Sequence, residues 1–324
     1  MRLLIVTNMY PSPEHPAYGI FIKEQLDAIT STAHDIKIDI YVIDASESRM
    51  AYMRSISAVH AMLRSGKYDI VHVHYGLSGL FLLRDRPGIP VVLTLHGGDI
   101  LPEQNKRIQV ALTHRILRRV DASVTLNKRM SMMASRYCRN IVEIPCGTDM
   151  DLFTPAVNNR HYPSCGDPLT IIFPSSRHRI VKNYPLFHAA VEEYRNRFGV
   201  AIKEVELDGL TRRQTVRAMQ TADLMLLTSI SEGSPQVVKE AMACRLPVVA
   251  TPVGDVATLL DGVSRCRVAG SHDPQLLATL MHEALYDPAG YDSRDRLQQL
   301  QLDADSVSRR IISLYRTLTA RTPQ

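Results

Sequence analysis

Short runs of Val, Ile and Leu alternate along the chain with longer segments whose apolar positions recur at helical spacing. Leu3 to Thr7 predicts a strand and Ile20 to Thr30 a helix. Ile36, Ile38, Ile40 and Val42 alternate with polar residues, which predicts a half-exposed edge strand. Met50 to Arg64 predicts a helix, then Asp69 to His74 and Pro90 to Leu95 predict strands. Ala122 to Leu126 and Ile141 to Pro145 read as two more, separated by helices over Glu103 to Arg119 and Asn127 to Tyr137. Thr154 to Pro168 breaks the pattern with prolines, asparagines and no periodicity, and predicts a linker. A second alternation follows. Strands are expected at Leu169 to Pro174, Ala222 to Thr228 and Pro247 to Thr251. Helices are expected at Asn183 to Arg197, Arg212 to Thr221, Pro235 to Cys244, Asp273 to Tyr286 and Ala304 to Thr319. Strands this apolar, interleaved with helices, imply parallel sheets covered on both faces. The expectation is α/β: two doubly wound Rossmann-like domains in tandem, with ligands beyond the carboxyl ends of the strands and the natural site in the cleft between domains.

Composition changes this picture little. The chain has 324 residues, 45% hydrophobic and 22% charged, ordinary for two globular domains. A net charge of +5 does not argue for nucleic acid. One stretch departs from the average: Lys106 to Arg139 holds nine Lys and Arg against a single acid, Asp121. It reads either as a solvated helix face or as a patch for an anionic lipid surface or phosphorylated acceptor. The five cysteines (Cys138, Cys146, Cys165, Cys244, Cys266) have no metal or redox spacing and fit free thiols in a reducing compartment. The apolar run after Met1 is too short for a signal peptide or membrane span. A cytoplasmic location is expected, with peripheral contact at the inner membrane face left open.

The first βα turn, Asn8 to Ile20, is long, proline-rich and holds one glycine, Gly19. A dinucleotide fold needs G-x-G-x-x-G there, so an NAD-dependent dehydrogenase is disfavoured. Gly19 is either a turn residue or a helix start whose backbone N–H groups face an anion. Thr94 to Asp99 ends a strand and opens a glycine loop, so His96 would project from a carboxyl end. An imidazole there could donate to, or accept from, a sugar hydroxyl, although a lone loop histidine is often structural. In the second half, Phe173 to Asn183 brings Arg177, Arg179 and Lys182 to one loop after a strand. Such cations can neutralise a leaving nucleoside diphosphate, or simply line a basic surface loop. The segment Ser229 to Cys244 follows. Ser234 is expected to cap a helix starting at Pro235, presenting free N–H groups and a dipole end to a diphosphate. Glu232 lies just ahead of that helix, and Glu240 lies inside it, placed for a ribose diol. The plainer alternative is a capped helix with solvent-facing acids.

Together these residues resemble the family-4 retaining glycosyltransferases of the GT-B fold, over nearly the whole chain. The E-x7-E motif Glu232 to Glu240, the Arg-x4-Lys pair Arg177 and Lys182, the loop His96-Gly97-Gly98-Asp99 and the segment Ile144 to Asp149 carry the resemblance. The run Glu232 to Ala241 is similar to transferases building bacterial surface polysaccharides, including the teichuronic-acid type. The resemblance implies that Arg177 and Lys182 hold the donor diphosphate, with Gly19, Gly233, Ser234, Pro235, Gln236 and Val237 around it. It implies that Glu240 binds ribose and that Glu232 and His96 sit by the transferred sugar. Tyr18, Tyr75, His96 and Asp99 would contact the acceptor. It implies same-face attack through an oxocarbenium-like state, no metal and no cofactor, with a nucleotide-sugar donor (UDP favoured) and a saccharide, lipid-linked or small-molecule acceptor. Nucleic acid is not an expected partner. Domains are expected at 1–154 (acceptor) and 155–303 (donor), with a terminal helix over 304–324 crossing back to the first. Three departures stand out: Arg245 where glycine is common, no glutamate near Thr258, and a short connection from Arg197 to Arg212 that leaves the base open. The alternatives are a nucleotide-sugar epimerase of similar shape and an inactive nucleotide-sugar-binding protein.

Overall fold

The computed structural model describes residues 1–45, 48, 50–101, 106–156, 167–290 and 292–320. Most of the expected linker, the start of the helix expected from Glu103, and Cys165 lie outside the described residues. The chain forms two compact units: Met1–Glu14 with Tyr18–Gly147 and Ala304–Gln324, and His15–Ala17 with Thr148–Asp303.

The first unit is built on a six-stranded sheet of order β2-β1-β3-β4-β5-β6. Its strands are β1 (Arg2–Thr7), β2 (Lys37–Val42), β3 (Ile70–His74), β4 (Val91–Thr94), β5 (Ala122–Thr125) and β6 (Ile141–Glu143), all paired in parallel. β2 is the edge strand, and Ile40 and Val42 on it are exposed. Alternation along β1 sends Leu4 and Val6 to one face and Leu3 and Ile5 to the other. The first face is covered by α2 (Met50–Leu63), α3 (Phe81–Arg84), α4 (Arg107–Leu117) and α5 (Lys128–Ala134). The second is covered by α1 (Ile20–Thr32) and by the last helix of the chain, which packs along α1. That last helix places Val307, Ile311, Ile312, Tyr315 and Leu318 in this core. Their spacing makes one apolar stripe, each side chain worth about 1.5–3 kcal/mol when fully buried.

The second unit has a five-stranded parallel sheet of order β11-β10-β9-β7-β8. Its strands are β7 (Leu169–Phe173), β8 (Ile202–Glu206), β9 (Leu224–Leu227), β10 (Val248–Ala250) and β11 (Cys266–Val268). Its helices are α6 (Tyr184–Phe198), α7 (Arg212–Thr221), α8 (Gln236–Ala243), α9 (Val256–Leu259), α10 (Pro274–Tyr286) and α11 (Ser293–Gln299); the terminal helix of the first unit is α12 (Ala304–Ala320). The segment from Arg197 to Arg212, read from the sequence as a short connection, contains β8. In both sheets the first strand pairs with the second on one side and a later strand on the other. The loops leaving β1 and β3, and those leaving β7 and β9, therefore flank switch points, where open α/β sheets bind ligands.

The end of α8 shows what the arginine at position 245 does. Leu246 N–H bonds the Ala241 carbonyl at 2.9 Å and Arg245 N–H bonds the Met242 carbonyl at 3.0 Å, a Schellman ending. Arg245 sits at φ 57, the left-handed position that glycine fills without strain. Its Nε is buried with no partner among the described residues. Arg245→Gly is expected to raise the stability of this unit by about 1 kcal/mol, read as a higher urea midpoint. A lower midpoint would show that the arginine stem contributes more than its backbone costs.

Candidate functional site

In the second unit, the loop leaving β7 ends in a 3-10 turn, Ile180–Lys182, and Asn183 at φ 55 starts the entry into α6. The loop leaving β9 is tied to it. Thr228 Oγ1 donates to the Lys182 and Asn183 carbonyls, each at 3.1 Å, and Ile230 N–H bonds the Val181 carbonyl at 2.8 Å. Lys182 is thereby held with its side chain only 11% exposed. Its Nζ donates to Glu232 Oε1 at 2.5 Å, and Ser229 Oγ donates to the same oxygen at 2.7 Å. An ammonium has three donors, so one carboxylate oxygen leaves it able to accept a further anion.

Glu232 is followed at once by α8. This helix starts at Gln236, one residue later than expected, and Pro235 at φ −68, ψ 109 is its extended N-cap. Ser234 makes no capping hydrogen bond, which corrects the expected cap: the extended Pro235 sets Ser234 outside the helix. The Ser234 Oγ is instead buried with no partner among the described residues. The first N–H groups of any helix lack intrahelical acceptors, so this hydroxyl and the start of α8, with Gly233, Gln236 and Val237, mark a place fit for an anion. The loop leaving β10 closes on it. A Cβ on Gly254, at φ 59, would fall 2.4 Å from the Gly233 carbonyl oxygen, so only glycine allows that approach.

Glu240, 4% exposed, faces a different partner. Arg212 Nη2 donates to its Oε1 at 2.7 Å, and the same guanidinium lies 4.6 Å over the Phe153 ring. Arg212 opens α7 behind a Thr211–Gln214 capping box, which fixes its direction. Arg177 is not brought to Lys182's partner. Its Nε donates to Glu206 Oε2 at 2.7 Å, its backbone N–H donates to Oε1 at 2.6 Å, and its guanidinium lies 5.0 Å over Tyr184. The sequence does not single out Glu206, Arg212 or Ser229. No local motif marks them, because each depends on where β8, α7 or the β9 loop lies.

The first unit gathers its own set. His96 follows β4, and its backbone N–H donates to Asp99 Oδ1 at 3.0 Å. Gly76 N–H donates to Asp99 Oδ2 at 3.0 Å. Asp99 is fully buried, and burial pushes its pKa up to about 6. Its carboxylate thus ties the β3 and β4 loops together. Tyr75, at φ 75, accepts from Gln109 Nε2 at 2.6 Å through its hydroxyl. Tyr18 is 51% exposed. Gly19, at φ 69, precedes α1; a Cβ there would lie 2.5 Å from the Met9 carbonyl carbon. The loop 9–19 therefore requires glycine at that position.

One group with the spacing of metal ligands exists among the described residues, His188, Glu192 and Glu204. Its carboxylates already serve Arg195 and, through Glu204, the Tyr184 hydroxyl. No helix among them is long and apolar enough to cross a membrane.

Two family descriptions match this chain. The "Glycosyl transferase 4-like domain" covers residues 33–138, and "Glycosyl transferases group 1" covers 177–287, together about two thirds of the chain. The protein is a family-4 type glycosyltransferase of the GT-B fold. This glycosyltransferase is 29% identical to the D-inositol 3-phosphate glycosyltransferase 2 of Catenulispora acidiphila over 74% of its own chain and 67% of the relative. It is 23% identical to the Bacillus subtilis glycosyltransferase TuaC, assigned to teichuronic acid biosynthesis, over 98% of its chain and 99% of TuaC. Its fold is similar to sucrose-phosphate synthase from Thermosynechococcus elongatus (TM-score 0.79, 18% identity, 98% of this chain and 99% of that one). It is also similar to Anabaena HepE in complex with UDP-glucose (TM-score 0.70, 14% identity, 98% and 100%). In this glycosyltransferase the second family match contains Arg177, Lys182, Glu232 and Glu240.

Proposed function

We propose that this glycosyltransferase takes its sugar from a nucleotide diphosphate donor held by the second unit and transfers it with retention of configuration. The observation that carries the reading is the grouping at one switch point of a largely buried Lys182–Glu232 pair, a Ser234 hydroxyl with no partner among the described residues and the start of α8. A diphosphate there would take Lys182's spare N–H donors and the Ser234 hydroxyl. As the glycosidic bond breaks, charge builds on the leaving phosphate, and a fixed ammonium stabilises that state more than the ground state. Glu232 is then relieved of sole duty as the counterion and can accept from sugar hydroxyls. Glu240 can exchange the Arg212 guanidinium for a ribose diol. With Lys182 as the neutralising charge, the reading needs no metal on the diphosphate. Same-face attack through an oxocarbenium-like state gives retention.

A uridine donor is favoured by the likeness to HepE, whose structure holds UDP-glucose. The relatives' names favour a saccharide or small-molecule acceptor in surface-glycan or glycoconjugate synthesis. The test is a panel of nucleoside diphosphate sugars, with and without acceptor glycosides, followed by NMR of the anomeric coupling. The reading expects stabilisation by one donor class, transfer only when acceptor is present, and retained configuration in the presence of a chelator. Isomerisation of donor alone would favour an epimerase. Binding without transfer to any acceptor would favour an inactive binding protein.

The basic stretch supports a lipid-linked acceptor. Ile108 and Met132 are exposed on α4 and α5, beside exposed Arg107, Arg115, Lys128, Arg129 and Arg136. Flotation with anionic but not neutral vesicles is expected, and equal recovery from both would remove the lipid reading.

A further inference from the structure

β3 carries His72 and His74, and strand alternation sends both to one face of the sheet. Ile70, two residues before, places that face under α1 and α12. His72 is anchored at both nitrogens: Nδ1 to the Tyr315 hydroxyl at 2.5 Å and Nε2 to Thr94 Oγ1 at 2.7 Å. The His74 ring lies tilted against it with centroids 4.2 Å apart and stacks with His96 at 5.4 Å. Nδ1 of His74 lies 3.2 Å from Nε2 of His96. Nε2 of His74 is buried and has no partner among the described residues.

Burial pushes the pKa of His74 well below its ordinary value and that of His96 down to about 3, so each ring is neutral and carries one proton. Two arrangements satisfy the contact between them. In one, His74 donates from Nδ1 and leaves a bare lone pair at its buried Nε2. In the other, His96 donates from Nε2, and the His74 proton is stranded as a buried Nε2–H. A stranded donor carries the full cost of desolvation, and orphaned N–H groups are rarer in folded proteins than under-satisfied acceptors. The first arrangement therefore wins.

We propose that His74 is a positioning residue that fixes His96 as its Nδ1–H tautomer, so that His96 offers sugar oxygens a hydrogen-bond donor and no lone pair. His96 Nδ1 makes no hydrogen bond among the described residues. The role at the sugar rests on the reading that His96 faces substrate; the tautomer does not. In this form His96 cannot take a proton from the acceptor hydroxyl. It orients the transferred sugar, and the acceptor proton must leave by another group, such as the departing phosphate.

Long-range proton–nitrogen spectra of the 15N-histidine-labelled, ligand-free protein test the tautomer directly, with His96→Gln assigning the signals. A pyrrole-like Nδ1 and pyridine-like Nε2 at His96 are expected; the reverse pattern overturns the proposal. Kinetics test the consequence. His74→Phe keeps a ring but removes the donor, and its kcat is expected to fall about tenfold with the donor KM nearly unchanged. His74→Asn restores a donor near the Nδ1 position and should recover most of that loss. Equal losses in both variants would show that His74 only fills space. Wild-type turnover in His96→Ala, with the expected spectrum intact, would reject the sugar contact and leave the tautomer standing.

Discussion

Replacing Lys182 with alanine is expected to lower kcat/KM for the nucleotide sugar by about 10²–10³-fold, the usual loss when one fixed group facing a developing charge is removed. The same change at Arg177 is expected to cost far less, under about tenfold, because its side chain is 50% exposed, where water screens its charge, and its Nε is held by Glu206 away from Lys182's partner. The contrast separates this structure from the motif, in which the two cations look equivalent. Lys182→Ala also leaves the partly buried Glu232 with only Ser229 donating to it among the described residues, and breaking one side of a pair costs up to about 3–5 kcal/mol where burial is complete and less here. Loss of activity through unfolding is therefore controlled with Lys182→Met combined with Glu232→Gln. The double variant removes both charges, so it should regain most of the stability and none of the turnover. Comparable kinetics for the Lys182 and Arg177 variants would contradict the assignment.

Acid should weaken the first unit in a way its buried histidines dictate. Burial, then the neighbouring His96, pushes the His72 pKa down to about 3, and His74 is also held well below its ordinary value by burial. Burial holds His96 down at about 3 as well, and in the unfolded chain all three titrate near 6.5. Their contribution is complete above that pH and is lost as pH falls through 6.5 toward the folded values, about 1.4 kcal/mol per pH unit for each. Asp99 acts in the opposite sense. Its folded pKa of about 6 lies above the unfolded value of 3.8, so it gives back stability as pH falls from 6 toward 4. Three histidines against one carboxylate leave a net loss of about 2.7 kcal/mol per pH unit across that range. Urea midpoints measured from pH 7 to pH 4 should fall accordingly, and His74→Phe should reduce the slope between pH 6 and 4 by about half. A flat wild-type profile would show that water reaches these rings.

Much of the fold is visible in the chain because its strands are so uniformly apolar. Leu3 to Val6, Val91 to Leu95 and Leu224 to Leu227 need no tertiary information to be recognised. β8 escaped because Ile-Lys-Glu-Val-Glu offers two apolar side chains and becomes a strand by pairing with the edge of β7. At the site, Lys182, Glu232 and Glu240 stand out by spacing, and the short helix between the acids explains why that spacing matters. Their partners do not stand out. Arg177 meets Glu206 and Glu240 meets Arg212 across 29 and 28 residues, through loops whose course no local pattern encodes. The sequence Ser-Pro reads as a helix cap, yet the extended Pro235 delays the helix and leaves the Ser234 hydroxyl without a partner among the described residues. Likewise the alternating His72 and His74 are plain in the sequence, but their link to His96 exists only because β3 lies beside β4.

A crystal structure with an intact or fluorinated nucleotide sugar puts the whole reading at risk in one step. The diphosphate should lie within hydrogen-bond reach of Lys182 Nζ and Ser234 Oγ, with the ribose hydroxyls on Glu240 and the Arg212 guanidinium moved off that carboxylate. A diphosphate bound away from the start of α8, with the Lys182–Glu232 and Arg212–Glu240 pairs both unchanged, would contradict it.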